Sequence, residues 1–137
     1  MALLTAGALF LMLATAFAAL AWVRSRPQRA RLTPDGIQEA SILVCERYRP
    51  SVVVVRCGIP LRLMFTRNED SPCSQRVIFP DFGISRSLPA RRTTAVDIMP
   101  HHEGEFLFTC AMGMYQGMVI VTAQRQRGID HMRAKKK

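Results

Sequence analysis

Between Ile37 and Gln124 the apolar residues come in short runs, each closed by proline, glycine or a polar turn. Ser41 to Cys45 is followed by Tyr48-Arg-Pro50. Val52 to Val55 is closed by Cys57-Gly58 and Pro60. Leu61 to Thr66 leads into the polar turn Asn68 to Pro72, and Arg76 to Phe79 stops at Pro80. Thr93 to Ile98, Glu105 to Cys110 and Met118 to Thr122 complete the set. Short β-type runs spaced by turn formers predict about seven strands in an all-β sandwich or barrel. Outside the first residues, only Gln124 to Ala134 offers a helical stretch, a polar one that Gly128 interrupts. With both ends set aside, roughly 90 residues remain, enough for one small core.

The front end is of another kind. Ala2 to Val23 carries no charge and is mostly Ala, Leu and Phe. As a helix it would rise roughly 33 Å, enough to cross a hydrocarbon core of about 30 Å. Trp22 sits where an interfacial aromatic belongs. Ala19-Leu20-Ala21 resembles a cleavage site, but no basic residue precedes the stretch, and it is long for a signal peptide core. An uncleaved single-pass anchor over residues 1–23 is the expectation. Arg24, Arg26, Arg29 and Arg31 follow it at once. Excess Arg and Lys stay on the cytoplasmic side, so the domain is expected to face the cytoplasm from the cell membrane. A periplasmic or extracellular face is the alternative. Residues 24–36 read as a basic linker, 37–124 as the folded domain and 125–137 as a basic tail.

The net charge of +9 is concentrated in that linker and that tail. No recognition-helix pattern and no basic strand face interleaved with aromatics appears, so nucleic acid is not expected as a partner. Nor do the acidic residues form a catalytic pair. Asp81, Asp97, Glu103 and Glu105 are scattered, and no serine lies in a nucleophile motif. No enzyme activity and no small-molecule substrate are expected.

The chemistry is concentrated in sulfur. Cys110-Ala-Met112-Gly-Met114 places a thiol and two thioethers at every second residue after Phe106-Leu-Phe-Thr. On a strand, that period sends all three to one face. Soft sulfur donors suit monovalent copper, whereas imidazole suits divalent copper or zinc. Cys73 lies upstream in the turn-like Ser71-Pro-Cys-Ser74. A copper(I) site of Cys73, Cys110, Met112 and Met114 is expected, holding one ion or two. Cys45 and Cys57 each end an apolar run and read as unpaired, partly buried thiols, with a disulfide between the two as the alternative. No C-x-x-C pair occurs, so neither a zinc ribbon nor a thioredoxin-type dithiol is indicated.

Two segments are similar to a known family. They are Ser71-Pro-Cys-Ser-Gln-Arg-Val-Ile-Phe-Pro-Asp-Phe-Gly-Ile84 and the block from Pro100 to Val121, which contains Glu103-Gly-Glu-Phe106 and Phe108-Thr-Cys-Ala-Met-Gly-Met-Tyr-Gln-Gly117. Over roughly residues 33 to 124 the chain resembles the small cupredoxin, or plastocyanin-like, domain. The layout resembles membrane-anchored bacterial copper(I) chaperones that serve copper-exporting P-type ATPases. The resemblance implies a Greek-key sandwich, copper as cargo and such an ATPase as partner.

One departure shapes the expected role. Blue-copper carriers use two histidines, a cysteine and a weak axial methionine. The resemblance puts Cys73 where the first histidine belongs, and only Met112 and Met114 follow Cys110. His101 and His102 precede the Glu105 run, and His131 is in the tail. A chaperone or buffer handing copper(I) to an exporter is therefore expected. An electron-transfer cupredoxin or a cytochrome oxidase copper-assembly factor is the alternative.

Overall fold

The computed structural model describes residues 2–24 and 26–124 and, within the first helix, the side chains of residues 6–22. Helix α1 (Ala2–Arg24) comes first. Eleven strands follow: β1 (Gln28–Arg29), β2 (Arg31–Leu32), β3 (Gln38–Val44), β4 (Tyr48–Arg49), β5 (Val52–Arg56), β6 (Leu61–Arg67), β7 (Arg76–Phe79), β8 (Ile84–Ser87), β9 (Arg92–Ile98), β10 (Gly104–Cys110) and β11 (Gln116–Thr122). The tail 125–137, with His131 and the stretch expected to form a frayed helix, lies outside the described residues apart from Gln124.

The all-β expectation holds, with more strands than the seven read from hydrophobic runs. Three of the additions, β1, β2 and β4, are two residues long. The fourth, β8, is an Ile-Ser-Arg-Ser edge strand with no fully buried residue. Its pairing with β7, Phe79 to Ile84 through Arg76 to Ser87, defines it. The stretch read as a linker supplies β1 and β2, one to each sheet.

The strands form two sheets, ordered β1-β5-β11-β10-β7-β8 and β2-β3-β6-β9, with β4 paired to β3. Three pairs are parallel, β1 with β5, β3 with β6 and β5 with β11. A parallel pair cannot be closed by a hairpin, so the chain must cross between the sheets. Side chains alternate inward and outward along each strand. On β6, Leu61, Leu63 and Phe65 point in, and Arg62, Met64 and Thr66 are only partly covered. The core joins Ile42, Val44, Leu63 and Phe65 of one sheet to Val53, Phe79, Phe108 and Val119 of the other. Fully burying each such side chain contributes about 1.5–3 kcal/mol. Gln38 ties the sheets at one pole. Its amide donates to the carbonyls of Arg56 and Ile59 at 2.7 and 3.0 Å, and its oxygen accepts from the Arg56 N–H at 2.9 Å.

Helix α1 differs from the sandwich. Every side chain described on it is exposed, including Phe10 at 76%, Phe17 at 79% and Trp22 at 68%. No side of it is polar enough to be a solvent face. Among the described residues, no helix is long and apolar enough to cross a membrane. The stretch expected to be an anchor is present as the helix Ala2–Arg24.

Candidate metal centre

Sheet pairing brings the two distant cysteines together. Strand β10 ends at Cys110, and β7 runs antiparallel beside it with Cys110 opposite Val77. The short 3-10 turn Pro72–Ser74 leads directly into β7. Cys73 on that turn therefore arrives at the end of β10. The two Sγ atoms lie 3.3 Å apart, 37 residues apart in sequence. Both are buried, Cys73 at 7% exposure and Cys110 at 1%.

Past Cys110 the chain turns. The Gly113 N–H donates to the Cys110 carbonyl at 3.0 Å, and the Cys110 N–H donates to the Tyr115 carbonyl at 3.1 Å. Gly113 takes φ +71°, the left-handed region that glycine adopts without strain. Met112 and Met114 are thus on the loop between β10 and β11, not on the strand face that their spacing predicts. They are exposed at 67% and 74%. The hairpin turn, not strand alternation, puts the thioethers outside the thiols.

The two thiols are not equivalent. Burial pushes Cys73 above the ordinary thiol value, and its contact with Cys110 adds to this. Burial acts upward on Cys110 too, but hydrogen bonds to its sulfur outweigh it and lower the net value. The Tyr115 N–H donates to Cys110 Sγ at 3.3 Å, and the Cys73 thiol adds a second donor. Cys110 is therefore the more acidic partner and Cys73 its proton donor. Two sulfurs can share one ion when they lie closer than about 4.6 Å, twice a metal–thiolate bond of about 2.3 Å. The pair meets that requirement.

Beneath the thiols sits an aromatic cluster. Tyr48 packs against Phe108 at 5.0 Å between centroids and against Tyr115 at 5.8 Å. Its hydroxyl is buried and has no hydrogen-bond partner. Burial, then the charges of Cys110 and Cys73, push its ionisation well above the phenol range. Sequence reasoning passed over Tyr48 and Tyr115 because both act through packing or backbone. Met114 and Tyr115 also line an open groove of about 700 Å³ with Arg47, Arg49 and, from α1, Phe17 and Ala21.

The remaining candidates lie elsewhere. His101 and His102 are exposed in the loop before β10. Six residue steps of about 3.4 Å along that strand put them roughly 20 Å from Cys110. Cys57 is at their pole, its Sγ 3.6 Å from the Pro100 carbonyl. Cys45 and Cys57 are free and half-buried. Among the described residues, no group of three or more His, Cys, Asp or Glu is placed to hold a metal ion. The donors gathered at this rim are two thiols with two thioethers beyond them.

The family model described as the cupredoxin-like domain matches residues 9–121. Among solved structures, a copper-binding protein in its apo form, determined in solution by NMR, is 37% identical. The match covers 71% of this chain and 98% of that one, with a TM-score of 0.67. The metal-binding domain of the Cu(I)-exporting P-type ATPase CopA of Streptococcus pneumoniae D39, crystallised with Cu(I), is 26% identical. It covers 72% of this chain and 97% of that one, with a TM-score of 0.69. A chain of a heme-copper terminal oxidase dimer shares the fold alone, at 15% identity and a TM-score of 0.52, over 89% of this chain and all of its own. No curated protein sequence matches.

Proposed function

This chain belongs to the cupredoxin-like domain family, and from its sulfur-only rim we propose that it binds copper(I) as cargo and passes it to a copper exporter. The observation that carries the proposal is the Cys73–Cys110 pair, 3.3 Å apart, beneath a loop exposing Met112 and Met114. Soft thiolate and thioether donors select Cu(I) among the first-row ions. Similarity to a copper-binding protein and to the Cu(I)-bound domain of an exporter supports the same metal.

The residues divide the work. Cys73 and Cys110 hold the ion as thiolates, so loading expels the protons that their sulfurs carry in the metal-free protein. The Tyr115 N–H stabilises the Cys110 thiolate. Met112 and Met114 contribute weaker, uncharged donors at the surface, where an incoming thiol displaces them first. Ligand exchange then carries the ion across without redox chemistry. Donors of this set disfavour copper(II), which argues against electron transfer.

The anchor is the second part of the proposal. A helix that is apolar on every described side and buries none of them needs a cover. With the uncharged sequence Ala2 to Val23 and the arginines after it, the cover we infer is the membrane, with the domain on the cytoplasmic side. Membrane fractionation of the full chain, followed by alkaline carbonate washing, tests this. Release into the wash overturns it. A C-terminal reporter assayed on each side tests the orientation.

For copper, wild type is compared with Cys73→Ser and Cys110→Ser by anaerobic competition against a chromogenic Cu(I) chelator. Each substitution should weaken binding by at least a hundredfold. Equal affinity in all three proteins refutes copper binding at this rim.

A further inference from the structure

We propose that Arg67 is a positioning residue for the copper thiols: it fixes the turn carrying Cys73 so that its sulfur stays against Cys110. Arg67 is the last residue of β6 and is only 4% exposed. A buried guanidinium is costly unless its donors are satisfied. Arg67 makes no ion pair with a carboxylate among the described residues. Its donors go instead to one small region. Nε donates to Ser74 Oγ at 2.9 Å, Nη2 to the Ser71 carbonyl at 2.6 Å, and Nη1 to the Leu88 carbonyl at 2.9 Å.

Ser71 and Ser74 bracket Pro72-Cys73, so two arms of one planar fork hold the cysteine turn from both ends. The third arm reaches the segment after β8. Leu88 N–H in turn donates to the Gln75 carbonyl at 2.7 Å, which closes the ring around the turn. Ser74 Oγ also donates to the Ser71 carbonyl at 3.2 Å. Three short residues of 3-10 helix have little rigidity of their own. Their position is set by Arg67, which belongs to the other sheet.

Lysine cannot replace Arg67, because one ammonium lacks the planar arrangement that reaches three separated acceptors. In the sequence, Arg67 looks like an ordinary charged residue ending a strand.

This inference rests on the copper reading and is tested so that the two fail separately. Full-length protein carrying Cys45→Ser and Cys57→Ser is the background. Into it go Arg67→Met, Arg67→Lys, Ser74→Ala and, as a control for general destabilisation, Val96→Ala in the core of β9. Two measurements are made below each variant's melting transition: Cu(I) affinity by chelator competition, and the rate at which a short bifunctional thiol reagent links Cys73 to Cys110 in the metal-free protein. Arg67→Met should lower Cu(I) affinity at least tenfold and slow the linkage by a similar factor. Ser74→Ala should give about a threefold loss, and Arg67→Lys should recover only part of the wild-type values. Val96→Ala should lower the melting temperature and leave both readouts within twofold. If Arg67→Met does not fold, Arg67→Lys and Ser74→Ala decide the matter. Wild-type linkage rates and affinities in the Arg67 and Ser74 variants overturn the proposal, as does an equal loss in Val96→Ala. If Cys73→Ser binds Cu(I) as tightly as wild type, the copper reading fails, and the linkage rate alone then judges Arg67.

Discussion

Replacing Gly117 with alanine should destabilise the domain by about 2 kcal/mol. Gly117 on β11 stands directly opposite Phe108 on β10. A Cβ added there would lie 2.1, 2.4 and 2.7 Å from three carbons of the Phe108 ring. Ordinary carbon contacts lie at about 3.5–4.0 Å, so the ring must retreat by roughly 1.4 Å, the difference between 3.5 and 2.1. It has nowhere to go. Phe108 is fully buried and packed on Phe79 at 5.1 Å, Tyr48 at 5.0 Å and Phe65 at 5.8 Å. Overpacking a tight core costs about 1–3 kcal/mol, and this clash belongs at the upper end. Alanine returns about 0.5–1 kcal/mol relative to glycine within a strand. The net of about 2 kcal/mol lowers the melting temperature by about 8–16 °C in a domain of this size. Near-UV circular dichroism melts and urea titration of the full chain in detergent measure it. Phe108 and Cys110 point inward from the same face of β10, so the displaced ring should also weaken Cu(I) binding. Adding Phe108→Leu should recover part of both losses. A Gly117→Ala protein within about 0.5 kcal/mol of wild type would refute the reasoning, since the ring would then have room that the packing denies it.

Three further outcomes are expected. Cu(I) affinity should fall at least about tenfold for each pH unit lowered between pH 8 and 6, because Cys73, held above the ordinary thiol value, is protonated there and must lose its proton to bind; chelator competition corrected for the chelator's own protonation reads this, and a flat profile contradicts thiolate ligation. Tyr48→Phe should keep the fold and raise stability by about 1 kcal/mol, because it deletes a buried hydroxyl that has no partner; urea unfolding checks it, and a loss above 1 kcal/mol would show the hydroxyl to be satisfied. Met112→Leu with Met114→Leu should leave Cu(I) affinity within about tenfold and slow transfer to an exporter's metal-binding domain at least tenfold; stopped-flow exchange separates the two, and unchanged transfer removes the methionines from the handover.

Much of the sandwich was legible because inward and outward residues alternate on its strands. Leu61, Leu63 and Phe65 mark β6 plainly, and the buried face matches. β8 was not legible, since Ile84-Ser-Arg-Ser87 buries almost nothing and is a strand only through its hydrogen bonds to β7. At the metal centre, the residue types in Cys110-Ala-Met-Gly-Met114 pointed to the chemistry, but the period-two reading put the methionines on the wrong kind of element. Gly113 with its left-handed backbone ends the strand sooner than the spacing suggests. Arg67 was invisible for a different reason. A terminal arginine reads as solvated, and only the return of Ser71, Ser74 and Leu88 to the same corner buries it. Contacts of that kind belong to the three-dimensional arrangement and leave no local trace.

The last strand among the described residues occupies the middle of its sheet. β11 lies between β5 and β10, with Met118 opposite Val52 and Thr122 opposite Arg56. During synthesis β5 emerges with its future neighbour still 66 residues away, as Val52 and Met118 are in sequence, and such long-range pairing is slow. Until β11 docks, nothing completes the hairpin whose Tyr115 N–H reaches Cys110. The burial that hides Cys73 and Cys110 in the finished domain therefore depends on the segment synthesised after both of them.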